Sequence, residues 1–398
     1  MSGQFIPFHR PLIGDEERDA IEAVLASGWL TTGPVTLAFE RDFAAYVGAK
    51  HALAVNSATA ALQLGLDAIG LREGDEVLVP TYTFTSTAEV VTYFGARPVL
   101  CDSVPGGFNI DVADAHRRVT ERTRVIIPVH FAGEPADLDA VNRLASSNQL
   151  HVIEDAAHAL PASWSGKRIG SVSGLTAFSF YATKTITTAE GGMLTTDNEE
   201  YARRIARMRL HGISSDAWKR YAREGSWYYE VEEAGYKMNM PDLLAALGRA
   251  QLSKAERFRD RRQQIAKRYD EQFAHLDELE TPPHGTACSE HAWHLYVVRI
   301  RTEQLGLNRN QFIEELKRLG IGSSVHFIPL HLHPYYQRQY GYRQGDFANA
   351  EDAYRRCISL PIFPGMTDAE VERVIAGVVG IAEQNRRRVA AVNLNVCS

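Results

Sequence analysis

Lys184 stands in the segment Ser179-Phe-Tyr-Ala-Thr-Lys184-Thr-Ile-Thr-Thr-Ala-Glu-Gly191-Gly192, and upstream of it runs Val152-Ile-Glu-Asp155-Ala-Ala-His158. A lysine amine forms a Schiff base with an aldehyde, and a carboxylate in an apolar setting keeps a pyridine nitrogen protonated. Those are the two protein groups that pyridoxal phosphate (PLP) needs most. Neither residue suffices alone, because a lysine is ordinarily a solvated surface group and Asp155 alone would only cap a strand end. A third segment joins them: Val55-Asn-Ser57-Ala58-Thr59-Ala-Ala-Leu, where an apolar run gives way to small hydroxyl residues and then to helical spacing. The free amides of a helix's first turn bind phosphate, and Ser and Thr hydroxyls add donors without bulk. Alone it is an ordinary N-cap; beside Lys184 and Asp155 it is a candidate phosphate cup.

Regular elements must carry these residues. Apolar strand-like runs at 52–55, 77–80, 98–101, 125–129, 151–154, 176–180 and 192–195 alternate with helical patterns. That alternation predicts an α/β fold with a mostly parallel sheet wrapped by helices. Ligands of such sheets bind beyond the carboxyl ends of the strands, and Asp155, Ser179 and Lys184 all follow strand-like runs. From Pro241 the pattern predicts one long charged helix to about Phe273, then a strand over 293–300 and two further helices. We expect a large cofactor-binding domain over 1–245 and a smaller C-terminal domain over 246–398.

Composition bounds the function. The 398 residues are 45% apolar and 23% charged, enough for two domains with substantial cores. A net charge of −6 gives no general basic field for nucleic acid, and the short run Arg386-Arg387-Arg388 reads as a solvated helix end. No window has the length of a membrane span and the first residues lack the apolar core of a signal peptide, so a cytoplasmic protein is expected. Cys101, Cys288, Cys357 and Cys397 are scattered, which predicts reduced thiols. His331-Leu-His333 and His291-Ala-Trp-His294 lack the Glu of a helical zinc motif or a nearby thiolate, and no metal is expected.

The chain resembles the DegT/DnrJ/EryC1/StrS family of PLP-dependent sugar aminotransferases nearly end to end. The motifs are Gly28-Trp-Leu-Thr31-Thr32-Gly-Pro34, Asn56-Ser-Ala-Thr-Ala60, Pro80-Thr-Tyr-Thr-Phe84, Pro128-Val-His130, Glu154-Asp-Ala-Ala-His158, the Lys184 segment and Gly322-Ser-Ser-Val-His326. The resemblance implies the aspartate aminotransferase (type I) fold and a homodimer with shared active sites. Lys184 would be the Schiff-base lysine that then moves the proton, and Asp155 the partner of the pyridine nitrogen. His158 would lie near the ring's phenolic oxygen and Phe84 on the pyridine face. Ser57, Ala58, Thr59 and Ser179 would hold the phosphate. Where many relatives carry a Gly-x-Asn-x-Arg segment that crosses the dimer interface, this chain reads Gly235-Tyr-Lys237-Met-Asn239, so Asn239 or Lys237 would substitute.

Within the family the likeness is greatest to the branch acting at C4 of UDP-linked 4-keto sugars, on the segments Ile127-Pro-Val-His130-Phe-Ala-Gly and His291-Ala-Trp-His294-Leu. The substrates implied are glutamate and a nucleotide-linked ketosugar, with His326, Thr31, Thr32 and Tyr181 as candidates for the sugar pocket. Two other readings of the same fold are a PLP-dependent dehydratase or deoxygenase and a non-catalytic regulatory member. Those dehydratases typically carry histidine in place of the lysine. A non-catalytic member would have no chemical need for Lys184, Asp155 and Ser57 together.

Overall fold

The computed structural model describes residues 4–213, 228–283 and 285–396, with side chains described to residue 386. The apolar runs form β1 (His51–Val55), β2 (Glu76–Pro80), β3 (Arg97–Cys101), β4 (Thr123–Ile126) and β5 (His151–Asp155). The short β6 (Ser163–Trp164) and β7 (Lys167–Arg168) follow, then β8 (Leu175–Ser179) and β9 (Gly192–Thr196). Seven of these make the main sheet in the order β1-β9-β8-β5-β4-β2-β3. The β3-β2, β2-β4, β4-β5 and β5-β8 pairs are parallel, while β9 runs antiparallel to β8 and β1.

Alternation along the strands explains why both faces are covered. Leu53 and Val55 of β1 and Ala177 of β8 join one core, while Ala52, Ala54 and Phe178 join another containing Phe39, Phe43 and Phe180. Helices α1 (Asp15–Ser27), α2 (Pro34–Val47), α3 (Ala58–Ile69) and α4 (Ser86–Thr92) lead the chain around the sheet. In the C-terminal part, β10 (Leu279–Glu280), β12 (Tyr296–Ile300) and β13 (Cys357–Leu360) form a second sheet, and β11 (Ser289–Glu290) pairs with β6. A third core of Tyr269, Phe273, Tyr296, Val298, Phe312 and Val374 fills the space between that sheet and its helices.

Three expectations needed correction. The helix expected over 241–273 is two helices, Asp242–Leu252 and Ala255–Phe273. At the break the Lys254 ammonium is drawn onto buried Glu17 of α1, whose other contacts include Gln251 at 2.6 Å. β4 stops at Ile126 because Pro128 has no N–H for the ladder, leaving Val129 a lone bridge to Asp155. The strand expected from 293 begins at Tyr296, since Trp293 is left-handed at φ 54°. Arg386 stays exposed, in keeping with the solvated reading, and also pairs with buried Glu278 at 2.6 Å; the side chains of Arg387 and Arg388, and Cys397, lie outside the described residues. Cys101 and Cys357 are buried free thiols and Cys288 is an exposed one. The two-domain division at about 245 remains our proposal; that position falls inside helix Asp242–Leu252.

Candidate active site

The carboxyl ends of β1, β2, β5 and β8 open on a cavity of about 500 Å3. At β1 the chain turns through Ser57 into α3. The Ser57 hydroxyl caps the helix by accepting from Ala60 N–H at 3.0 Å, which leaves the amides of Ala58 and Thr59 without intrahelical acceptors. Ser179, at the end of β8, lines the same corner. Gly192 packs so tightly there that a Cβ would lie 2.5 Å from the Ser57 carbonyl and 2.7 Å from the Ala58 nitrogen.

Asp155 ends β5 and is buried. Its Oδ2 accepts from the Thr87 hydroxyl at 2.8 Å, and its Oδ1 from Ala157 N–H at 3.1 Å. Burial pushes its carboxyl up from the ordinary range, while the Thr87 and Ala157 donors and the Lys184 charge act to keep it ionised. Thr87 is in turn tied to Thr83 at 2.8 Å. Directly behind, Glu154 and His130 are fully buried and paired at 2.8 Å. His130 Nδ1 accepts from Ala136 N–H, so Nε2 carries the proton toward Glu154. Lys184 opens onto the cavity but is crowded by protein, and desolvation lowers its pKa to about 8 against the pull of Asp155. A lysine so tuned is available as a neutral nucleophile and as a base near neutral pH.

Ala132 is left-handed at φ 59°, which presents its N–H to His158 Nδ1 at 3.2 Å. The neutral His158 ring therefore carries its proton on Nε2, free to donate to an oxygen in the cavity. Burial, then Lys184 and His326, hold His158 well below the ordinary imidazole pKa. His326 lines the opposite wall, tied through Nδ1 to Ser359 at 2.8 Å, and burial with Lys184 brings its pKa down to about 4. Phe84 lines the cavity 58% exposed, 5.8 Å from the Phe327 ring. Tyr82, two residues earlier, is core: its hydroxyl donates to the His326 carbonyl at 2.8 Å.

The cavity thus brings together Ser57, Ala58, Thr59, Phe84, Asp155, His158, Ser179, Tyr181, Lys184 and His326. Four expected residues, Thr31, Thr32, Lys237 and Asn239, stand apart from the cavity within one chain. Thr31 is exposed and its carbonyl accepts from Asp242 N–H. Asn239 bridges Val55 at the edge of the cup and bonds Thr32 and Lys237, both at 2.6 Å; it lines a second cavity with Thr32 and Gly33 instead. Sequence reading missed Thr83, Thr87, Phe8, His9, Ser324 and Phe327 as site residues, and gave His294 only as a pocket-wall histidine. Among the described residues no group of three or more His, Cys, Asp and Glu could hold a metal.

The residues present fit PLP: a lysine beside a carboxylate, a cup of free amides and hydroxyls for a dianion, and a glycine where any side chain would collapse that cup. Bound there, PLP supplies an electron sink, while the chain's own groups orient it and move protons at Lys184. The model of the DegT/DnrJ/EryC1/StrS aminotransferase family matches residues 11–379. Protein MJ1066 of Methanocaldococcus jannaschii, uncharacterized, is 52% identical over 96% of this chain and 99% of its own. The spore coat polysaccharide biosynthesis protein SpsC of Bacillus subtilis is 49% identical over 95% of this chain and 97% of its own. Among solved structures, Spr1654 of Streptococcus pneumoniae, described as a sugar aminotransferase and solved in its PLP form, superposes with a TM-score of 0.89 at 34% identity, covering 96% of this chain and 99% of that one. The chain therefore belongs to the DegT/DnrJ/EryC1/StrS aminotransferase family, PLP-dependent sugar aminotransferases of the type I fold.

Proposed function

We propose that this protein takes the amino group of glutamate and delivers it to a ketone on a nucleotide-linked sugar, at C4 of a UDP-linked 4-keto sugar of the UDP-4-amino-4-deoxy-L-arabinose type. The observation that carries the reading is the convergence of Lys184, Asp155 and the N-terminus of α3 on one cavity. In this reading Lys184 is the attachment point and proton carrier, Asp155 pairs with the pyridine nitrogen, and His158 donates to the phenolic oxygen. Ser57, Ala58, Thr59 and Ser179 hold the phosphate, and Phe84 covers the ring. His326 and Tyr181 face the sugar, while Thr31 lies outside its own chain's cavity. The C4 and UDP assignments rest on Ile127-Pro-Val-His130 and His291-Ala-Trp-His294, and a sugar-polymer role is in keeping with the name of SpsC.

The reading includes a cytoplasmic homodimer in which Asn239 or Lys237 serves the neighbouring subunit's cofactor; both lie beside the cup but outside their own chain's cavity. Among the described residues no helix is long and apolar enough to cross a membrane. The test is amino transfer from glutamate to UDP-, dTDP- and GDP-linked 3-keto and 4-keto sugars, scored by product mass alongside the cofactor spectrum. One aminated UDP-4-keto sugar with ping-pong kinetics supports the proposal. Conversion of the cofactor by glutamate with no sugar aminated removes the substrate assignment, and full turnover by Lys184→Ala removes the mechanism.

A further inference from the structure

We propose that Arg262, His294 and His9 form the locus that receives a carboxylate of the amino donor, an inference that rests on the transaminase reading above. Arg262, on helix Ala255–Phe273, is 0% exposed. One guanidinium nitrogen, Nη1, donates to the carbonyls of Trp293 at 3.2 Å, His294 at 3.1 Å and Ile362 at 2.7 Å. Its Nε and Nη2 have no hydrogen-bond partner, and no carboxylate pairs with it among the described residues. Burial lowers its pKa only to about 9, so it stays charged near neutral pH. A buried charge with two unmade donors and no carboxylate partner is costly and leaves an uncompensated positive potential around it.

The charge lies one residue behind the cavity wall, since two of its acceptor carbonyls belong to His294 and Ile362, which line the cavity with Lys184. On the cavity side, His294 is 5% exposed with Nδ1 buried and unpartnered, and His9 likewise has an unpartnered buried Nε2. Burial and the neighbouring charges, Arg262 among them, hold both rings neutral. A neutral imidazole can offer an N–H to an anion, and the guanidinium behind it makes that position electropositive. Trp293 is left-handed at φ 54°, and Arg262 holds its carbonyl.

Chemistry selects the donor's carboxylate over a sugar diphosphate. Lys184 is the sole Lys or Arg among the cavity's lining residues, and in the transaminase reading it would be committed to the cofactor and to proton transfer. The His294 ring lies 4.4 Å from that of His158, tilted by 36°, and His158 follows Asp155 in the same cavity. The donor's carboxylate is attached to the very carbon that loses a proton, whereas a diphosphate is separated from the ketone by the sugar ring.

The test compares wild type, Arg262→Met, Arg262→Lys and His9→Leu as holoenzymes. Half-saturation by glutamate is read from the cofactor spectrum, half-saturation by ketosugar from the reverse spectral change, and succinate binding by calorimetry. Arg262→Met should weaken glutamate and succinate severalfold, through loss of the positive potential behind the wall, and move the ketosugar value less than about twofold. Arg262→Lys should fall between, and His9→Leu should weaken succinate in the same direction. An equal rise for both substrates marks a merely structural staple, a rise for ketosugar alone moves the anion to the diphosphate, and unchanged values leave Arg262 without a ligand role; each overturns the inference. Should Arg262→Met not fold, unchanged succinate affinity in His9→Leu overturns it as well. Failure of glutamate to convert the wild-type cofactor sinks the transaminase reading; conversion by wild type and Arg262→Met at equal half-saturation sinks this inference alone.

Discussion

Thr87→Val tests whether Asp155 is tuned by its neighbours. Valine keeps the volume of threonine but removes the hydroxyl that donates to Asp155 Oδ2 at 2.8 Å. A hydrogen bond to a charged acceptor contributes about 1.5–3 kcal/mol, and about 1.4 kcal/mol moves a pKa by one unit. The carboxyl, already raised by burial, should therefore rise further once the Thr87 donor is gone. The sign follows from which form is lost: the ionised carboxylate pairs with a protonated pyridine nitrogen, so the variant should bind PLP more weakly at neutral pH, and the deficit should shrink as pH rises. The change also strands Thr83, whose hydroxyl is 2.8 Å from that of Thr87, at a further cost of about 1–2 kcal/mol in stability. Thr83→Val removes only the outer link and should cost less in cofactor affinity than Thr87→Val, so a double-mutant cycle separates the two. Fluorescence titration of PLP into the apo protein at several pH values reads the affinities. Unchanged affinity in Thr87→Val, or a deficit independent of pH, refutes the reasoning.

Other consequences follow from named contacts. The folded-state pKa of Lys184, about 8 against 10.5, means the unfolded chain binds its proton first as pH falls; the penalty grows from pH 10.5 down to 8 and is full below it. Apo Lys184→Met should therefore melt above apo wild type at pH 7, with the difference closing toward pH 10.5; a gap constant across that range contradicts the assignment. Gly192→Ala should push β9 off the cup, lowering stability by about 1–3 kcal/mol and PLP affinity with it; equal melting and binding would mean that the close approach relaxes freely. Lys254→Met should leave Glu17 buried without its cation and cost about 3–5 kcal/mol in urea denaturation, so a loss below about 1 kcal/mol would show the pair to be solvated.

What the sequence disclosed and what it hid follow one physical division. Ser57, Asp155, Ser179 and Lys184 were legible because each lies at the end of its own apolar run, and the parallel sheet gathers those ends on one edge whatever the rest of the chain does. Thr87 gave no such signal: it reads as an ordinary helix residue of α4, and only the sheet order, with β4 between β2 and β5, brings it to Asp155. The break at Lys254 was hidden for the same reason, since its cause is a carboxylate on α1 and not any local breaker. Arg262 is the most instructive case, because in a helix as charged as Ala255–Phe273 it reads as one more solvated cation. Yet its helix passes from the core containing Phe258 to the core containing Ile265 and Tyr269, so the side chain between them is carried inward. Position within a helix crossing two cores, not residue type, thereby decides that this guanidinium faces the back of the cavity wall and not water.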